Sequence, residues 1–206
     1  MKDIFSYNVD INKNAFLNWR TSNFEDIGNM LVLAEGFLDS AIVLAKECLN
    51  NNTNKKADIL IFPILTNANH GVELYLKSII WTLNKLEKSE LKIEGSHNIQ
   101  QMYQTVQAKI KSYQGCESLM HFNELSLNLK EYISELFSIL SLDGKKHNID
   151  FSRYPMTNKY ENYFYIDSLN NIEIDLENFV LRFQIIKDTL DERASYFFFQ
   201  ELKGEW

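Results

Sequence analysis

From Ile27 to Cys48 the apolar residues Ile27, Leu31, Ala34, Leu38, Ala41, Ala45 and Cys48 recur at alternating steps of four and three. A helix turns about 100° per residue, so this spacing lays all seven along one face for about six turns. A strand buries every second residue and cannot use that rhythm. It returns at Phe122, Leu125, Leu129, Tyr132, Leu136 and Ile139, and again at Phe179, Phe183, Ile186, Leu190, Ala194 and Phe197. Only 7 glycines and 2 prolines interrupt 206 residues, too few for the many turns of a sandwich or barrel. The expectation is an all-α domain: an antiparallel bundle of four long helices plus one short helix, with a long irregular loop before the last helix.

Residues 1 to 22 show no sustained period and read as an N-terminal arm that Phe5, Phe16 and Trp19 can dock onto a domain spanning 23 to 206. Asn23 is a candidate N-cap, with Asp26 three positions on. The polar run from Asn50 to Lys56 ends the first helix, because its side chains compete for backbone hydrogen bonds. A second helix is expected from Ala57 to Glu87, with Pro63 kinking it or marking its start. Gly95-Ser96 closes a loop, His97 to Tyr113 is a shorter helix, and another helix starts near Ser118. In residues 143–171, Asp143-Gly144 makes a turn, Pro155 stops regular structure, and Tyr163 to Ile166 reads as a short extended piece. The last helix runs from Glu173 to Leu202. Its run Tyr196-Phe197-Phe198-Phe199 is too continuous for one helix face and is either deep core or, the favoured reading, a contact with a second copy or another protein.

The net charge is -7. That balance opposes indiscriminate binding to a polyanion, although a local basic pocket remains compatible with it. Cys48 and Cys116 lack metal-ligand spacing, and Cys48 lies on an apolar helix face, as expected of a buried thiol. The N-terminus has polar and acidic residues where a signal peptide has an apolar run. No stretch of about 18 apolar residues stands out, so the expectation is a cytoplasmic chain without a membrane span.

The second helix carries an unusual stripe. With His70 at zero on a helical wheel, Lys77, Thr66 and Glu73 fall within about 60° on one side. Leu65, Ala68, Val72, Leu76 and Ile79 cover the opposite half. Burying such a polar row is costly unless its members pair. Glu73 and Lys77 stand four apart in the favourable order and can pair with each other. The stripe is therefore either a self-satisfied pair beside a core histidine or a polar cleft in which His70 exchanges a proton.

Three blocks, in order, resemble the HEPN-like helical proteins of bacteria. Residues Phe62 to Lys77 resemble that family's stretch of Pro, a few apolar residues, Arg-His, two residues, Glu-Leu, one residue, Leu-Lys. Gly95-Ser96-His97-Asn98-Ile99 looks like its Gly-His-x-Leu element with one residue inserted, and Ser152-Arg153-Tyr154-Pro155 like its Arg-Tyr-Pro element. The resemblance implies a helical bundle, commonly dimeric, and for many members metal-independent ribonuclease activity in toxin–antitoxin or phage-defence systems. Those members use Arg, four to six residues, then His. This chain has no such spacing, and Asn69 stands where an Arg precedes the family's helix histidine.

A replacement set is available. Metal-free RNA cleavage needs a base for the 2′-hydroxyl, an acid for the leaving oxygen and a cation for the phosphorane. His70 and His97 can move protons, with Arg153 as the third candidate catalytic residue. Glu73 can fix a histidine tautomer, Lys77 and Arg153 can hold phosphate, Tyr154 can stack on a base, and Asn69 lies on the substrate side. Alternatively, Arg153 pairs with Glu73 and clips the loop to the bundle. His121 and His147 read as surface residues. Zinc spacing, a Gly-rich phosphate loop and a Gly-x-Ser-x-Gly elbow are all missing from the sequence, so no cofactor is expected. The implied partners are RNA, not DNA, and a homodimer or heteromeric protein partner. The competing function is a non-catalytic helical interaction module.

Overall fold

The structure is a computed structural model that describes residues 1–206 except 24, 92–96, 114, 116, 143, 146, 169 and 206. Among the described residues there are six α-helices packed against one another and no strand: α1 (Asp26–Asn50), α2 (Ala57–Leu86), α3 (Ile99–Tyr113), α4 (Leu119–Leu125), α5 (Leu127–Ile139) and α6 (Leu176–Ser195). A long segment separates α5 from α6. Gly95, Ser96, Cys116 and Asp143, named above, lie outside the described residues.

All seven periodic residues of α1 are buried, together with Ile42. Cys48 is a buried free thiol. Helix α1 is also long and apolar enough to cross a membrane by length and composition, with a mean hydropathy of 1.6 over an 18-residue window. That corrects the expectation that no such stretch exists. Its apolar face packs on α2 and α6, while Leu33, Val43 and Leu49 face outward. Asn23 does not cap it. The helix starts at Asp26, and the Asn29 side chain instead holds the Ser22 backbone N–H and carbonyl, each at 2.9 Å.

Helix α2 is the centre of the molecule and touches α1, α3, α6 and the C-terminal segment. It runs through Pro63, which lies on an exposed face next to exposed Ile59, so the carbonyl that proline leaves unpaired faces solvent. Gly71 is where α1 comes closest. A Cβ there would stand 2.7 Å from Cγ of Leu38 and 3.1 Å from the carbonyl oxygen of Ala34. Leu38 is fully buried and has no free direction in which to swing. Gly71→Ala is therefore expected to lower stability by about 1–3 kcal/mol through overpacking, outweighing the ~1 kcal/mol that alanine gains over glycine in a helix. A urea midpoint at or above wild type would refute this close approach.

The helix expected from Ser118 through Ile139 is two helices. Ser118 caps α4 through the His121 N–H, and Ser126 stands between α4 and α5 while keeping its backbone bonds to Phe122 at 2.9 Å and Lys130 at 3.0 Å. Its buried hydroxyl shares the Phe122 carbonyl at 2.6 Å and lies 2.9 Å from the Tyr103 hydroxyl, a polar contact that spacing of apolar residues does not reveal.

Asp175 caps α6 through the Asn178 N–H, and after Ser195 the helix widens into a π-helical segment, Tyr196–Leu202. The wider turn brings adjacent side chains closer in angle. Phe197 and Phe198 are buried and Tyr196 and Phe199 half-buried, so the aromatic run mainly closes the core. Between α5 and α6, Ile149–Ser152 forms a 3-10 turn. Residues 163–166 form a turn, not the extended piece expected, and Tyr163 and Phe164 bury themselves beneath it. The N-terminal arm does not dock: Phe5, Phe16 and Trp19 are 91%, 49% and 79% exposed.

Candidate functional site

The stripe on α2 faces a small hollow closed by two other parts of the chain. The start of α3 brings in His97, two residues before the helix begins. The 3-10 turn Ile149–Ser152 brings in Asp150, Ser152 and, at its C-terminal end, Arg153. The Thr66 hydroxyl donates to the Ser152 carbonyl at 3.1 Å and lies 3.0 Å from its hydroxyl oxygen, which fixes that turn against α2. Thr66, Asn69, His70, Glu73, His97, Asp150, Ser152 and Arg153 all line the hollow. His70, Glu73, His97 and Arg153 therefore do come together. The cavity is about 20 Å³, room for a single water but not for a base or a phosphate. A larger ligand would have to lie across its mouth.

Glu73 is the electrostatic centre. It is 4% exposed. Its Oε1 accepts from Lys77 Nζ at 2.6 Å and from His97 Nδ1 at 2.9 Å, while His70 Nδ1 stands 3.8 Å from Oε2. That last distance is an ion-pair approach and too long for a hydrogen bond. Burial pushes the Glu73 carboxyl up, but the neighbouring His70, Lys77 and His97 outweigh it and hold the pKa down to about 2. The group is a fixed anion. A carboxylate only accepts, so His97 donates to it through Nδ1, and Nε2 is the ring nitrogen that Glu73 does not occupy. The His97 side chain is 71% exposed, which makes Nε2 reachable. His70 is steadied from the other side by Phe37 of α1, edge-to-face at 4.5 Å between ring centres.

Asn69 is 2% exposed. Its Oδ1 accepts from the buried Tyr132 hydroxyl at 2.6 Å, and its Nδ2 finds no partner. Burial pushes the Tyr132 phenol up, so it stays protonated and keeps donating. A buried amide donor without a partner is uncommon in folded proteins, and this one belongs to a residue that lines the hollow.

The remaining expected residues are placed as follows. Lys77 is spent on Glu73 and is not among the residues lining the hollow, so a phosphate-holding role does not fit it. Arg153 does not pair with Glu73. It makes one 3.4 Å contact with Asp150 and is half exposed, which leaves most of its donors free. Tyr154 is 59% exposed and outside the hollow. Asp150, Ser152 and Tyr132 were missed by sequence reasoning. An Asp three residues before Arg153 was the one available signal for the first.

A second carboxylate–histidine pair lies elsewhere. His121 Nδ1 is 2.7 Å from Glu117, and buried Glu117 also binds Arg193. This pair does not line the hollow around Glu73, which makes His121 an internal control. Among the described residues no three His, Cys, Asp or Glu side chains converge as a metal site would require. Comparison with protein-family models, curated proteins and solved structures finds no match for this chain.

Proposed function

We propose that this chain is a HEPN-like antiparallel helical bundle that binds RNA and cleaves it without a metal, as a component of a bacterial defence or toxin system. The observation that carries the reading is the convergence of His70, His97 and Arg153 on one buried, permanently charged Glu73. His97, with its tautomer set by Glu73, takes the 2′-hydroxyl proton through Nε2. The 2′-oxygen attacks phosphorus, His70 gives a proton to the departing 5′-oxygen, and the products are a 2′,3′-cyclic phosphate and a 5′-hydroxyl. Arg153 stabilises the phosphorane at the mouth of the hollow. Its placement there, with Tyr154 next in the chain, suits a strand lying across the surface. The net charge of -7 suits a ligand held at one point.

One observation favours a second reading. Glu73 is already satisfied by Lys77 and His97, and the hollow is water-sized. This is also what a structural polar cluster in a non-catalytic interaction module looks like.

Total RNA incubated in EDTA separates the two. Wild type and His121→Ala are expected to cleave alike and leave cyclic-phosphate ends. His97→Ala, His70→Ala and Arg153→Ala are expected to lose about a hundredfold in rate. RNA left intact by wild type, or cut equally by all five proteins, removes the nuclease reading and leaves the interaction module.

A further inference from the structure

The N-terminal arm and one groove of this fold are unfilled counterparts. The arm is locally built. Asn8 N–H donates to Asn14 Oδ1 at 2.8 Å, and Asn14 Nδ2 donates back to the Asn8 carbonyl at 2.7 Å, closing a loop around the 3-10 turn Ile11–Lys13. Just beyond it, Trp19 N–H donates to the Phe16 carbonyl, and the two rings lie 6.2 Å apart. This order does not come from the body of the protein. Phe16, Leu17 and Trp19 are 49%, 86% and 79% exposed. A preshaped apolar knob held in water loses little conformational freedom when it docks, which is the condition for productive binding by a short segment.

The groove lies between α5 and α6. It has a volume of about 590 Å³ and a floor of Leu136, Phe151, Phe179 and Phe183, within the range of pockets that take large apolar groups. Its rim is acidic. Glu135, Glu173 and Asp175 face Arg182, and Arg182 is already held by Glu131 and Glu135. The arm has an excess of one positive charge, with Lys2, Lys13 and Arg20 against Asp3 and Asp10, and Lys13 pairs with Asp10 at 3.2 Å, which leaves Lys2 and Arg20 to meet the rim. The arm does not fill the groove of its own chain, since its side chains stand in solvent.

We propose that two copies exchange arms, each seating Phe16, Leu17 and Trp19 in the α5–α6 groove of the other. One chain carries both plug and socket, so reciprocal exchange closes a two-fold dimer with no unfilled site. Two arm–groove contacts then act together, and each raises the effective concentration of the other. The substituted residues Phe16, Trp19 and Ser138 do not line the hollow around Glu73.

The wild type and two variants of the full chain test it by sedimentation at about 10 µM, the regime of modest interfaces. All altered side chains are solvent-exposed, so the fold is expected to survive, with unchanged circular dichroism as the check. The wild type is expected to be a dimer. Phe16→Ser/Trp19→Ser loses its plug, and Ser138→Trp blocks the groove from its exposed rim. Each is expected to be a monomer alone. A monomeric wild type overturns the proposal, as does a dimer that survives either substitution. RNA cleavage by these variants is expected to match wild type per site, so failure here and failure of the nuclease reading are read separately.

Discussion

Replacing Glu73 with alanine is expected to lower the unfolding free energy by about 3–5 kcal/mol at neutral pH, the loss typical of removing one partner of a buried ion pair. Two effects add. The Lys77 ammonium, 14% exposed, loses the carboxylate 2.6 Å away, and the His97 imidazole loses the acceptor that tethers the start of α3 to α2. For a chain of this size the drop in melting temperature is on the order of 10 °C. The pH dependence gives the same effect a second signature. The folded Glu73 pKa of about 2 lies below the ordinary 4.5. A depressed carboxyl stabilises the fold fully above its unfolded pKa, and that stability is lost as pH falls through the folded pKa. The wild type should therefore lose about 3 kcal/mol from this group between pH 4.5 and 2, and Glu73→Gln should lack that part of the decline. Equal acid sensitivity in the two proteins would mean that Glu73 is not the fixed anion the geometry describes.

Phe183→Ala is expected to cost about 3–5 kcal/mol, the usual range for removing a buried aromatic ring. Phe183 is 1% exposed, stacks on Phe179 at 4.3 Å and receives the edge of Tyr132 at 4.7 Å. The lost ring leaves two aromatic faces without their partner, and close-packed neighbours relax only partly into such a gap. Tyr132 gives the change a reach beyond stability. Its hydroxyl orients Asn69, and a loosened Tyr132 ring lets that amide turn in the hollow. Phe183→Leu, which keeps more volume, is expected to recover about half of the loss in a urea titration. A Phe183→Ala protein within about 1 kcal/mol of wild type would show that this part of the core is not closely packed.

The two substitutions act on different kinds of information. Phe183 was legible as a core residue because its partners along α6 repeat with the helical period, and a periodic face needs no knowledge of what it packs against. The same holds for Ile27 through Cys48 in α1, and for the Glu73–Lys77 pair, whose four-residue spacing is local geometry. The break at Ser126 and the π-helical turn after Ser195 were not legible, because the spacing of apolar residues runs on unchanged through both. Nor was the failure of Phe5, Phe16 and Trp19 to dock, because apolar composition specifies a wish for cover without specifying where the cover lies.

At the candidate site the division is sharper. The amino-acid order alone placed Thr66, His70, Glu73 and Lys77 on one stripe and established a chain of helices, since both follow from a turn of about 100° per residue. Folding decided that His97, 24 residues away, would share the Glu73 carboxylate, and that Tyr132 would claim the Asn69 oxygen and leave its nitrogen without a partner among the described residues. Those pairings cross between elements. Their distances depend on how helices pack and on which buried polar groups must satisfy one another, and no periodicity within a single helix encodes that.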